Sequence, residues 1–377
     1  MKKGFWLCAL LCLLPALALA EDLQQSARAL IDTLELEAVE KAVAQSEWLE
    51  GGAAELIRRL CGGQPVLSAG ELVNALLHKA AGIFSGSVWR MTRLLVSALL
   101  ASCAQWLRPC DTPMGKAARY AGLLMTLFWL VADLKEHVAL CQETITRMSE
   151  WMQGIFPLLV TLLAAVGGTA SSAFYQPAVM AAAGSMTTLI QHITMPLAVS
   201  VAVLTMVGGV SEGLRVSRMC ALFRQAANWT LGFGFTVFIG VMTVQGVGAA
   251  AVDGVSIRTA KYAMDNFIPI VGGMFADTVD TLVGCSLVVH NAVGALGLLL
   301  LLGALLTPLL RTVMTLFLYR TAAAVLQPMA DGPLCRAIGG YAEVFSLLFI
   351  IQLSVGAMFL LLVAQLITVG NLTVMLR

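Results

Sequence analysis

The stretch Phe345–Val369, FSLLFIIQLSVGAMFLLLVAQLITV, decides the fold class. It contains no aspartate, glutamate, lysine or arginine, and it exceeds the ~20 apolar residues that a helix needs to cross a hydrocarbon core. Lipid offers no water to backbone amides, so every N–H and C=O must be satisfied within the segment, as a helix does. Working outward, comparable runs lie near 88–107, 118–134, 155–173, 177–192, 193–210, 229–252, 283–306 and 312–327. Composition agrees. Of 377 residues 59% are hydrophobic and 12% charged, with mean hydropathy +0.86, against about 45–50% and about 25% in soluble domains. The expected fold is all-α: a polytopic helical membrane protein of seven to nine spans over residues 88–377, preceded by a small helical extracytoplasmic domain.

The residues before the first span divide in two. Lys2 and Lys3 precede an apolar run from Phe5 to Leu14, then Pro15, with Ala18 and Ala20 where a signal peptidase reads. Residues 1–20 are therefore expected to be a signal peptide; the alternative, an uncleaved anchor, is short of a full span. Residues 21–87 carry five basic and ten acidic side chains. Ala27, Ile31, Leu34, Ala38 and Ala42 recur at helical steps, so this segment forms amphipathic helices whose apolar faces pack on each other, on the membrane surface or on a partner. Ser68 and Glu71 have the spacing of a capping box opening a further helix.

Basic residues in short loops mark the cytoplasmic side. Arg215, Arg218 and Arg224 face only Glu212 in the 211–228 loop, and Arg108, Lys116 and Arg119 mark a second such loop. Segments 133–153 and 253–281 each hold two basic and four acidic residues and suit the outer side. Nine spans starting outside satisfy all four; removing the 88–107 span and the break at Pro196 gives seven. Val166-Gly167-Gly168, Val207-Gly208-Gly209 and Val271-Gly272-Gly273 each follow a proline, a combination that permits either close helix packing or broken helices lining a cavity.

The densest polar chemistry runs from Gln245 to Asn291. Asp277 and Asp280 share a helix face just before an apolar run, as cation-binding or proton-relaying carboxylates do and as ordinary first-turn residues also do. Arg258 and Lys261, also three apart, could pair with Asp253 or Asp265 on a surface helix. Pro269 lacks an amide donor, while Gly272 and Gly273 tolerate positive φ, so a bend is expected between these two groups.

Several function classes fall away. The formal charge is +1, and removing Lys2 and Lys3 leaves 21 basic against 22 acidic side chains, so no field exists to hold nucleic acid. Nine scattered cysteines in so long a chain do not make a disulfide scaffold. The sequence has no phosphate-binding GxxxxGK[ST], no HExxH and no CxxC, and no catalytic residue, metal ligand or cofactor is expected.

The blocks DGVSIRTAKYAMDNFIPIVGGMFADTVDTLVGCSLVVHNAVG (Asp253–Gly294), LLAAVGGTASSAFYQPAV (Leu162–Val179) and GNLTVMLR (Gly370–Arg377) closely resemble the stage III sporulation protein AE family of endospore-forming bacteria. That resemblance implies a multi-pass protein of the mother-cell membrane surrounding the forespore, with its N-terminal domain in the intermembrane space. It implies a non-enzymatic part of a channel complex, with other proteins of the stage III A operon as partners, among them a secretion-type ATPase and ring-forming proteins. Stage II sporulation protein Q is a further implied partner, alongside membrane lipid. The family assigns no catalytic residues. From the residues alone, a self-sufficient transporter of a small solute is the alternative.

Overall fold

The computed structural model describes residues 27–375 apart from 28, 67, 107–112, 211–215, 268–270 and 329–331; the expected signal peptide lies outside the described residues. Among them every regular element is helical. Two short helices, α1 (Glu37–Gln45) and α2 (Ala53–Cys61), precede the long ones: α3 (Ala69–Trp106), α4 (Pro113–Ala165), α5 (Thr169–Leu189), α6 (Met195–Val210), α7 (Ser217–Phe267), α8 (Val271–Leu326) and α9 (Gly332–Met375). The capping box at α3 forms as read: Ser68 N–H donates to Glu71 Oε2 at 3.0 Å and Glu71 N–H to Ser68 Oγ at 3.2 Å.

Among the described residues, four stretches are long and apolar enough to cross a membrane: Thr169–Gly209, Ser217–Gly246, Val279–Leu326 and Cys335–Met375. The outward face of α7 supports this, with Trp229, Phe233, Val237 and Val244 exposed at helical spacing. The sequence runs at 88–107 and 118–134 fall on α3 and α4, outside those four.

Helices are more continuous than the sequence runs imply. The runs 177–192 and 193–210 join through a π-turn, Ile190–Thr194, in which Met195 N–H reaches back to Ile190 O. The wider turn accommodates Pro196, which has no amide to return to the preceding turn. The runs 283–306 and 312–327 lie on one helix, α8, with Pro308 inside it. Polar segments 133–153 and 253–267 are helical too, within α4 and α7, because extending an existing helix costs far less than starting one. The run 155–173, by contrast, is interrupted. Gly167 takes φ 101°, and Gly168 N–H bonds Leu163 O while Gly167 N–H bonds Ala164 O, which closes α4 in a Schellman turn before α5 begins.

The core centres on α8 and α9, the most extensively paired helices. They run antiparallel, since contacts fall on α9 as they rise on α8: Gly294 meets Ile367, Leu305 meets Gly356, and Thr312 donates to Gln352 at 2.9 Å. Glycine gives the closest approach at the second of these. A Cβ on Gly356 would lie 2.1 Å from Leu305 Cδ2, so the α9 backbone itself forms the contact surface.

Residues 27–61 share this core. Ile31, Val39, Ala42, Leu56 and Ile57 are buried, and α1 and α2 lie against α4 and α8. The Trp151 indole donates to Gln45 Oε1 at 3.0 Å, Trp48 packs on Gly303, and Lys79 of α3 pairs with Glu47 while covering the Trp48 ring. The amphipathic faces of this segment are thus covered by the same chain's long helices.

Candidate functional site

Polar centres interrupt the apolar body, among them two that join distant helices through a carboxylate. The first is a layer shared by α3, α4, α8 and α9. On α4, Asp133, Glu136 and His137 follow an i, i+3, i+4 pattern and share one face; on α8, Arg311, Thr315 and Tyr319 are spaced by four and share another. The Tyr319 hydroxyl donates to Asp133 Oδ2 at 2.6 Å. The Arg90 guanidinium of α3 reaches Glu136 at 3.2 Å, and Arg311 approaches the same carboxylate at 3.7 Å. Phe345 of α9 closes the layer, stacked on Tyr319 and edge-on to His137, each at 4.9 Å between ring centroids.

The tautomer of His137 follows from its partners. Nδ1 lies 2.9 Å from the Asp133 carbonyl, which only accepts, so Nδ1 carries the proton. Nε2 is then the acceptor for the Thr315 hydroxyl at 3.0 Å. Burial of the ring disfavours a second proton and holds the imidazole below the usual histidine range. The sign of the linkage is then fixed. Stability from the neutral ring is present above the unfolded value near ~6.5 and is lost as pH falls below it, because the unfolded chain takes up the proton more readily. Melting of the purified chain should become easier between about pH 6.5 and 5, and this acid-side loss should shrink in His137→Asn. An unchanged pH profile in that variant would remove the assignment.

Cys141 lies one helical turn from His137 and is fully buried, with its thiol 3.8 Å from Met195 Sδ. Burial pushes this thiol up to about 12. At pH 8 about one thiol in ten thousand would be ionised, so Cys141 should resist maleimide in the folded chain and react only after denaturation. Mass mapping of labelled cysteines checks this, and labelling of Cys141 in the native chain would contradict the burial.

The second centre ties α7 to α5. The N-cap of α5 is Gly168, which has no side chain to offer the first free amides of the helix. Asp253 of α7 supplies the cap instead: Oδ1 accepts from Ala170 N–H at 2.8 Å and Oδ2 from Ser171 N–H at 2.9 Å, with Asp253 at 0% exposure. A carboxylate at a helix N-terminus also meets the positive end of the macrodipole. Asp253 therefore pairs with backbone more than eighty residues away, whereas the sequence offered Arg258 or Lys261 as its partner.

The residues singled out from sequence are placed differently. Arg258 is exposed on α7, and Asp280 is exposed on α8. Gly272 and Gly273 belong to the first turn of α8. Pro269 and the side chains of Lys261 and Asp277 lie outside the described residues. The sequence reading passed over the α3/α4/α8 layer, although the i, i+3, i+4 spacing of Asp133, Glu136 and His137 was its available signal. Among the described residues there is no cluster of three or more metal-ligating side chains.

The comparisons with known proteins fit this architecture. The stage III sporulation protein AE profile matches residues 53–370. Stage III sporulation protein AE of Bacillus subtilis (strain 168) is 37% identical over 243 residues, which cover 64% of this chain and 61% of that protein. No solved structure matches. The profile spans most of the chain, including both polar centres, and the chain belongs to the stage III sporulation protein AE family.

Proposed function

We propose that this protein is a non-enzymatic membrane component of the channel complex that joins mother cell and forespore during endospore formation. In this reading it crosses the mother-cell membrane around the forespore several times, with residues 21–87 toward the intermembrane space and residues 88–377 as the membrane domain. It acts with other proteins of the stage III A operon, including a secretion-type ATPase and ring-forming proteins, and with stage II sporulation protein Q. The observation that carries the reading is the family match over residues 53–370 on a chain with four long apolar helices.

The polar centres support a component rather than a self-sufficient transporter. A proton- or cation-coupled transporter uses a carboxylate that gains and loses an ion, whereas among the described residues Glu136 pairs with two arginines, Asp133 accepts from a tyrosine hydroxyl and Asp253 from two amides. The groups thus act between helices as fasteners. Liposomes containing the purified chain alone should show no uptake of solute driven by a proton or sodium gradient above that of empty liposomes. Gradient-driven uptake that disappears in Glu136→Gln would favour the transporter reading.

A further inference from the structure

Residues near the ends of three long apolar helices come together: Gly209 of α6, Ser217 of α7 and Arg336 of α9 line one pocket. Between them α6, α7 and α9 form an open pocket of about 430 Å³. Its wall is built by close backbone approach: a Cβ on Gly340 would lie 2.4 Å from Thr205 Cγ2, and one on Gly209 3.0 Å from Ala337 Cβ.

Among the described residues, the charged groups in this wall are Arg224, Arg336 and Glu343. Arg224 pairs with Glu343 through one terminal nitrogen, while its Nε is buried and has no hydrogen-bond partner. Arg336 is exposed at the rim. Two cations against one carboxylate leave the described wall positive, and a buried guanidinium N–H without an acceptor is a cost that an incoming anion would remove. The first turn of α7, opening at Ser217 in the wall, adds the positive end of a long helix.

Chemistry narrows the class of anion, since basic pockets between membrane helices suit phosphate-bearing head groups. Guanidinium groups match phosphate oxygens in geometry as well as charge. We infer that this pocket binds the phosphate of an anionic phospholipid, with Arg224 Nε and the Arg336 guanidinium as donors and Glu343 as a competing carboxylate. The inference rests on the helix ends and the pocket, independently of the proposed channel role.

The test uses the whole chain, delipidated in detergent and titrated separately with phosphatidylglycerol, phosphatidylcholine and inorganic phosphate under native mass spectrometry. Phosphatidylglycerol should be retained about tenfold over phosphatidylcholine, and Arg336→Gln should remove most of that preference. Arg336 is exposed, so its replacement leaves the packing in place. Glu343→Gln should strengthen retention by freeing Arg224, the opposite of what loss of a purely structural ion pair would do. Equal retention of the two lipids, or a preference unchanged in both variants, would overturn the inference. Binding of inorganic phosphate without lipid preference would assign the pocket to a soluble anion and overturn the lipid source.

Discussion

Replacing Asp253 with alanine is expected to destabilise the protein by about 2–4 kcal/mol, the sum of a lost helix cap and of two amides left without an acceptor. Both bonds are short, Asp253 is fully buried, and Gly168 offers no side chain to replace it. Asp253→Asn keeps one acceptor oxygen but loses the charge that faces the helix dipole, so it should cost about half as much. Thermal melting of the detergent-purified chain, followed by tryptophan fluorescence, reads the difference. Equal melting temperatures for the parent chain and Asp253→Ala would show that the cap holds nothing.

The second large effect belongs to the α8–α9 contact. In Gly356→Ala the new Cβ would meet Leu305 Cδ2 at 2.1 Å, Cδ1 at 2.6 Å and Cγ at 2.8 Å, so the leucine must leave its position. Overpacking of this kind costs about 1–3 kcal/mol, and Gly356→Leu, which drives a whole side chain between the two helices, should cost more. Gly339 on the same helix provides the control, because a Cβ there meets nothing within 4 Å. Gly339→Ala should be neutral or stabilising by up to about 1 kcal/mol, since alanine favours a helix interior over glycine. Similar melting temperatures for Gly356→Leu and Gly339→Ala would contradict the packing of α8 on α9.

What the sequence disclosed follows the range over which its signals act. The helical class, the apolar character of α9 and the Ser68–Glu71 capping box depend on residues within a few turns of one another, and each is found in the structure. Helix ends were harder to read. Pro196 and Pro308 look like breaks in a list of residues, but a π-turn absorbs the first and α8 continues through the second. Gly167, in contrast, stops α4 because its positive φ allows the Schellman turn. The polar centres are long-range by nature: Asp253 finds α5, and Tyr319 finds Asp133. Their pairing depends on which helices lie side by side, information that periodicity along one segment does not carry. The Gln245–Asn291 stretch is dense in polar residues, yet Arg258 and Asp280 stand exposed on helices while Asp253 and His290 make buried contacts.

The role of component rather than lone transporter is tested most directly by affinity capture of the whole tagged chain from detergent-solubilised sporulating cells, with quantitative mass spectrometry of what remains bound. The account predicts recovery of the other stage III A operon proteins, including the secretion-type ATPase and the ring-forming proteins, together with stage II sporulation protein Q. Recovery of the chain alone, from cells that are forming spores normally, would contradict it.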